Sequence, residues 1–228
     1  IRDRNNINKG SLTLNNGASL ANGSTTNLAG GTSMDVNSGS SIDGNVVMNA
    51  QSSININKDA ASDVTISGNI SSNTIANAAD QQITISNGSL TISGDQSGYK
   101  GTFNQEDGTT VTVVDGGVFF GGDNFVKGGI FNFNQGAELS SDVTITNKNT
   151  QLNIFGSDKV LDGNKLVVND GWGFVLKDAL FSGSDALVKE GTFSDGHITF
   201  ENQGGIAQDA DITLGNGGTF TMSAGSVA

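Results

Sequence analysis

The feature that most constrains this chain is a short apolar–polar–apolar triplet that returns about every 21 residues along almost its whole length. Leu12-Thr13-Leu14, Met34-Asp35-Val36 and Ile54-Asn55-Ile56 open the series. Leu90-Thr91-Ile92, Val111-Thr112-Val113, Phe131-Asn132-Phe133, Leu152-Asn153-Ile154, Phe174-Val175-Leu176, Ile198-Thr199-Phe200 and Phe220-Thr221-Met222 continue it. The interval from Ile54 to Leu90 exceeds one period, so one rung is irregular or the register slips there. A second series lies between these, with Val64-Thr65-Ile66, Ile83-Thr84-Ile85, Val143-Thr144-Ile145 and Ile212-Thr213-Leu214.

Strict alternation over so few residues marks short strands with one buried face. The links are rich in turn formers, such as Asn15-Asn16-Gly17, Gly156-Ser157-Asp158 and Gly215-Asn216-Gly217-Gly218. A propeller blade needs about 40 residues, and the Leu/Asn consensus of leucine-rich repeats is absent. The nearest helical candidate, Leu176 to Gly191, is interrupted by glycine. What remains is an all-β parallel β-helix, a solenoid in which each coil winds once and stacks on the next. About 21 residues per coil and about eleven coils, at a spacing of about 4.8 Å, predict a rod about 50 Å long. Val, Ile, Leu and Phe would stack inside. Thr13, Asn55, Thr91, Thr112, Asn132, Asn153, Thr199 and Thr221 would face out, with stacked Asn forming amide ladders.

Composition agrees with a thin rod. Hydrophobic residues are 35%, low for a globular domain, and there is no proline to interrupt strands that pair on both sides. The absence of cysteine excludes disulfides and thiolate metal sites. A net charge of −12, with Arg2 and Arg4 the only arginines, argues against nucleic acid, whose phosphates demand a basic patch. No apolar run is long enough to span a membrane as a helix. Because the repeat is already running near Leu12 and still running at Phe220, the chain reads as a segment of a longer protein.

Two zones divide the rod. Residues 1–98 are rich in Asn and Ser and hold no aromatic side chain, whereas residues 99–228 hold Tyr99, Trp172 and all 12 Phe. The second zone should therefore have the fatter core, with stacked Phe, and should unfold last. The spacing loosens over 156–197, which reads as a protruding loop or as irregular coils. Divergent coils are where function is grafted, so Asp158, Asp162, Lys165, Trp172, Lys177 and Asp185 are the candidate partner contacts. The alternative for them is a long turn packed on the core.

Catalytic and metal chemistry find little support. The only His, His197, follows a turn, and no nucleophile motif accompanies it. Glycoside hydrolysis needs carboxylates about 5–9.5 Å apart, and the one Asp-x-Asp pair, Asp209 and Asp211, sits in a turn. Gly121-Gly122-Asp123-Asn124-Phe125 lacks the repeated Gly-x-Asp of calcium-binding nonapeptides. Ice binding would need two Thr per strand on one flat face, and the positions alternate with Asn, Asp and Val. One motif does recur: an Asp before an apolar-Thr-apolar triplet, at Asp63, Asp142 and Asp211. Its spacing predicts an equivalent corner on well-separated coils, with each Asp capping the turn into its strand. No catalytic residue, metal site or cofactor is expected.

Gly10-Ser-Leu-Thr-Leu, Asn87-Gly-Ser-Leu-Thr-Ile, Asp107-Gly-Thr-Thr-Val-Thr-Val and Gly217-Gly-Thr-Phe-Thr-Met resemble passenger domains of Gram-negative autotransporters and related large surface adhesins. The shared pattern is Gly-x-apolar-Thr-apolar followed by Gly, Asn or Ser turns, and it covers nearly the whole chain. The resemblance implies a right-handed winding and export to the exterior of the outer membrane. It also implies adhesion, aggregation or biofilm roles, with host or bacterial receptors, glycans or further copies as partners. Polysaccharide lyases of this fold resemble one another in using an Arg base with a calcium cluster, and no Arg follows Arg4. A carbohydrate-binding or carbohydrate-hydrolysing β-helix is the rival expectation.

Overall fold

The computed structural model describes residues 3–134, 136–147 and 150 in full; beyond 150 it describes the backbone of the strands from Gln151–Phe155 to Thr219–Met222. The described strands form three longer sheets and three two-stranded ones, Glu138–Leu139 with Val167–Val168, Leu180–Phe181 with Gly205–Ile206 and Ala186–Val188 with Ile212–Leu214, and every strand pair is parallel. The longest has ten strands: Ser11–Leu14, Ser33–Val36, Ser52–Ile56, Gln81–Ile85, Thr102–Gln105, Asp123–Val126, Val143–Ile145, Gly173–Lys177, His197–Glu201 and Thr219–Met222. A seven-stranded sheet takes Ser19–Leu20, Ser41–Ile42, Asp63–Ile66, Ser89–Ile92, Thr110–Val113, Ile130–Asn134 and Gln151–Phe155. A third sheet has only Arg4–Ile7, Thr25–Leu28, Asn45–Met48 and Ile70–Ser72. Past these, the third side continues as the single bridges Asp95 to Val118 and Val118 to Glu138, and then as the short pair Glu138–Leu139 with Val167–Val168.

The result is an all-β parallel solenoid of about seven turns, about 21 residues in each. Seven turns carry a strand on both long sheets, and the ten-stranded sheet runs past them. The eleven coils expected from the sequence overstate this. That number divided the chain by a uniform period, and the turns are not uniform. Between Ser52–Ile56 and Gln81–Ile85 the chain makes an added excursion that includes the 3-10 turn Ala78–Asp80. The register slip suspected after Ile54 has the same origin. In the ten-stranded sheet Ile54 pairs with Ile83, whereas Leu90 belongs to the seven-stranded sheet between Val64 and Val111. The triplet series therefore changes face at Leu90 and returns at Phe174, which pairs with Val143.

Alternation of two sets the burial. Met34, Ile54, Ile83 and Phe103 stack inside one long sheet, and Ile42, Ile66, Ile92, Val113 and Phe133 stack inside the other, all fully buried. Each such side chain contributes about 1.5–3 kcal/mol by leaving water. Corners are sharp because the residues there accept left-handed backbone: Asn16 has φ 56° and Gly17 φ 74°. At another corner Gly44, Gly68 and Gly94 stack so closely that a Cβ at Gly68 would collide with the Gly44 carbonyl.

Where the third sheet stops, the core changes from aliphatic to aromatic. Tyr99, Phe103, Phe119, Phe120 and Phe131 form one buried cluster. Phe103 stacks on Phe120 at 4.8 Å, and Phe119 meets Phe103 edge-on at 5.2 Å and Phe131 edge-on at 5.1 Å. The stacked Phe expected after residue 98 are thus present in the core among the described residues. Buried amides take over the hydrogen bonds that a further strand would have made. The Ile70 N–H donates to Gln96 Oε1 at 2.8 Å, and Gln96 Nε2 donates to the Gly68 carbonyl at 2.8 Å. Gln81 Nε2 donates to the Met48 carbonyl at 2.6 Å. An unpaired buried backbone group would cost about 1–3 kcal/mol, so these side chains close the edge of the short sheet.

Candidate functional surface

Every outward position follows from the same alternation, so the surface is a set of columns running along the axis. On the ten-stranded sheet one column reads Thr13, Asp35, Asn55, Thr84, Asn104, Phe125, Thr144. On the seven-stranded sheet the matching column reads Ser41, Thr65, Thr91, Thr112, Asn132. On the short sheet it reads Asn6, Asn27, Val47, Ser71. Thr13, Asn55, Thr91, Thr112 and Asn132 do face out as expected, and Thr221 is exposed. The sequence-predicted Asn153 and Thr199 have side chains outside the described residues.

Amides link successive turns. Asn27 Nδ2 donates to Asn6 Oδ1 at 2.8 Å, Asn73 Nδ2 to Asn49 Oδ1 at 2.8 Å, Asn55 Nδ2 to Asp35 Oδ1 at 2.6 Å, and Asn132 Nδ2 to Thr112 Oγ1 at 3.1 Å. The expected Asn ladder is thus a mixed one, in which amides alternate with carboxylate and hydroxyl acceptors.

The recurring Asp motif needs correction. Asp63 opens a strand of the seven-stranded sheet, whereas Asp142 precedes Val143–Ile145 on the ten-stranded sheet, so the two do not share a corner. Nor does Asp63 cap its turn: its carboxylate accepts the hydroxyl of Ser89 one turn on. The physical reason is position. A strand-opening Asp points outward beside the neighbouring strand, where a side-chain donor is nearer than a turn N–H. Backbone capping falls to other carboxylates. Asp107 Oδ1 accepts the Gly108 N–H at 2.9 Å and, from the next turn, the Gly129 N–H at 3.1 Å. Asp95 Oδ1 accepts the Ser97 N–H at 2.8 Å. The Asp107-Gly108 dipeptide was the signal for this, since Asp before Gly favours such a turn. Asp211 lies outside the described residues.

Carboxylates elsewhere are spread out. Among the described residues no group of three His, Asp or Glu is placed to hold a metal ion. The ion pair Lys127 Nζ to Glu106 Oε1, 2.9 Å, joins two half-exposed side chains. One hollow, about 380 Å³ and open to solvent, lies on the short sheet and is lined by Thr25, Asn45, Val47 and Ser71 with Asp95 and Ser97. A second open hollow, about 260 Å³, sits beside Asp80 and Gln82.

Of the sequence-predicted contacts, Asp158, Asp162, Lys165, Trp172 and Asp185 lie outside the described residues. Lys177 ends the strand Gly173–Lys177, opposite Glu201 in register, and its side chain is likewise outside them. His197 stands in register with Gly173 and Thr219.

One surface residue was missed. In the strand Asp123–Val126 the polar and apolar roles are exchanged: Asn124 points inward and is buried, while Phe125 points outward and is partly exposed. Asn124 Nδ2 donates to the carbonyls of Phe120 at 2.9 Å, Gly122 at 3.2 Å and Asp142 at 3.2 Å. The signal lay in the sequence as Asn-Phe-Val standing where apolar-polar-apolar was due. Comparison with protein-family models, curated proteins and solved structures returns no match for this chain.

Proposed function

We propose that this chain is a rigid β-helical segment of a secreted bacterial surface protein, winding right-handed, that mediates attachment or aggregation or displays a binding region. The observation that carries the reading is the surface itself: stacked turns present in-register polar columns on three sides, a repetitive face suited to many weak contacts made in parallel. The sequence likeness to passenger domains of surface adhesins points the same way. Right-handedness follows from the strong general preference for right-handed crossovers between parallel strands. Its place would be the exterior of the outer membrane, with receptors, glycans or further copies as partners.

Beads coated with the purified chain should attach to bacterial or host cells, and free chain should compete. Absence of attachment together with release of reducing sugar from polysaccharide would overturn the reading in favour of a hydrolase. Attachment without sugar release supports it.

A further inference from the structure

The geometry points to a binding platform for a neutral glycan on the ten-stranded sheet, centred on Phe125. The argument begins with the exchange of roles at Asn124 and Phe125. A buried amide and a partly exposed ring are both less favourable than the reverse arrangement, and local breaks of the folding pattern of this kind mark sites kept for another purpose. The interior half has a structural reason, since Asn124 holds three carbonyls. The outward half has none. Of the aromatics whose side chains are described, Tyr99, Phe103, Phe119, Phe120, Phe131 and Phe133 are fully buried, and Phe125 alone reaches the surface.

Its neighbours make the chemistry specific. Along the column Phe125 lies between Asn104 and Thr144, and along the chain it lies between Asp123, which opens its strand, and Lys127, just past the strand's end. Lys127 is held by Glu106, diagonal to the ring, at 2.9 Å. One apolar ring is thus framed by an amide and a hydroxyl, which can both donate and accept, by two carboxylates that accept, and by an ammonium that donates. Strands about 4.8 Å apart and outward residues about 6.6 Å apart give a platform about 10 Å by 13 Å, the footprint of a disaccharide. A pyranose has the matching character: an apolar C–H face that sits on the negative face of an aromatic ring, rimmed by equatorial hydroxyls. The two carboxylates, on a chain of net charge −12, disfavour sialylated or sulfated sugars and select neutral ones.

This site gives the proposed surface role a ligand class, and it rests on that reading for its setting only. The test uses the full chain against cellobiose and N,N′-diacetylchitobiose by saturation-transfer NMR, and against an array of neutral, sialylated and sulfated glycans. Transfer to the ring C–H protons of a neutral sugar is expected. Phe125→Ala should weaken binding about tenfold, equivalent to about 1.4 kcal/mol, while Phe125→Trp retains or strengthens it. Because Phe125 is outward, both variants should keep the parent far-UV spectrum. No binding to any neutral glycan, or equal binding by Phe125→Ala, overturns the platform. If Phe125→Ala loses glycan but coated beads still attach to cells, the platform stands and attachment runs through other columns. If the intact chain binds no glycan yet attaches, the platform falls and the surface reading survives.

Discussion

The turns before Ile92 and the turns after it solve the same packing problem in different ways. In the first region three sheets meet, and aliphatic side chains such as Leu28, Met48 and Ile70 fill the third side. In the second region the third side has shrunk to single bridges and one two-residue strand pair, and Tyr99, Phe119 and Phe120 fill the space from irregular backbone. The lesson concerns what a strand supplies. It supplies paired backbone groups and inward side chains, and the two can be replaced separately. Ring volume replaces the side chains. Hydrogen bonds from Gln96, Asn124, Ser140 to the Phe119 carbonyl and Ser141 to the Gly122 carbonyl replace the pairing.

The largest test of this contrast is truncation of the core on either side. Phe119→Ala should cost about 4 kcal/mol and Leu28→Ala about 3 kcal/mol. The difference should be read by urea titration followed by far-UV circular dichroism. Phe119 touches three other rings of the cluster or its border, at 5.1 to 5.2 Å between centroids, so its loss opens a cavity that no sheet can close. If Leu28→Ala proves clearly the more damaging, the aromatic cluster is not what holds the second region.

Next in size is the seam between the regions. Gln96→Leu keeps the bulk but leaves the Ile70 N–H and the Gly68 carbonyl without their partners, so about 1–3 kcal/mol should be lost. Hydrogen exchange at Ile70 should rise in the variant. Unchanged protection there would mean that the short sheet closes its own edge.

Alkali provides a third probe, confined to the aromatic region. Burial pushes the Tyr99 phenol well above its ordinary value, and its hydroxyl donates to the Thr102 carbonyl at 3.0 Å. The folded state therefore holds the phenol neutral. The stability this supplies is complete below about pH 10, where the unfolded phenol ionises, and is lost as pH rises from there toward the folded value. Tyr99 is the only tyrosine, so phenolate absorbance reports this one group. It should stay silent until the second region opens, and Tyr99→Phe should flatten the alkaline loss. A phenolate signal near pH 10 in folded protein would break the argument.

What was legible in the sequence was whatever depends on alternation and period. Triplets such as Ile54-Asn55-Ile56 and Val111-Thr112-Val113 declare which side is buried without any knowledge of neighbours, and the structure agrees. The face on which a triplet lies was not legible. Ile83 and Leu90 carry the same local pattern, and only the length of the excursion before Gln81 decides that Ile83 stacks on Ile54. The irregular third side was hidden for a related reason. Tyr99, Phe119 and Phe120 lie outside any alternating run, so their burial comes from the hollow left by a missing strand. The outward Phe125 is encoded in the reversed order of Asn124 and Phe125, a break in the alternation that the turn residues Gly121-Gly122 before it obscure.

The smallest expected effects separate two kinds of aspartate. Asp107 accepts N–H groups from its own turn and from the next, so Asp107→Ala removes a bond that ties two turns together in the aromatic region. About 1 kcal/mol should be lost, and Asp107→Asn, whose amide oxygen still accepts, should recover most of it. Asp63 is exposed and accepts only a Ser89 hydroxyl, in the aliphatic region. Water replaces that bond when Asp63→Ala is made, and the change should stay within about 0.5 kcal/mol. Both are measured as shifts in the urea midpoint at constant slope. The reverse ranking would restore the recurring Asp as the element that fixes each strand entry. The predicted ranking assigns that role to Asp-Gly turns, and with it the stacking order of the turns.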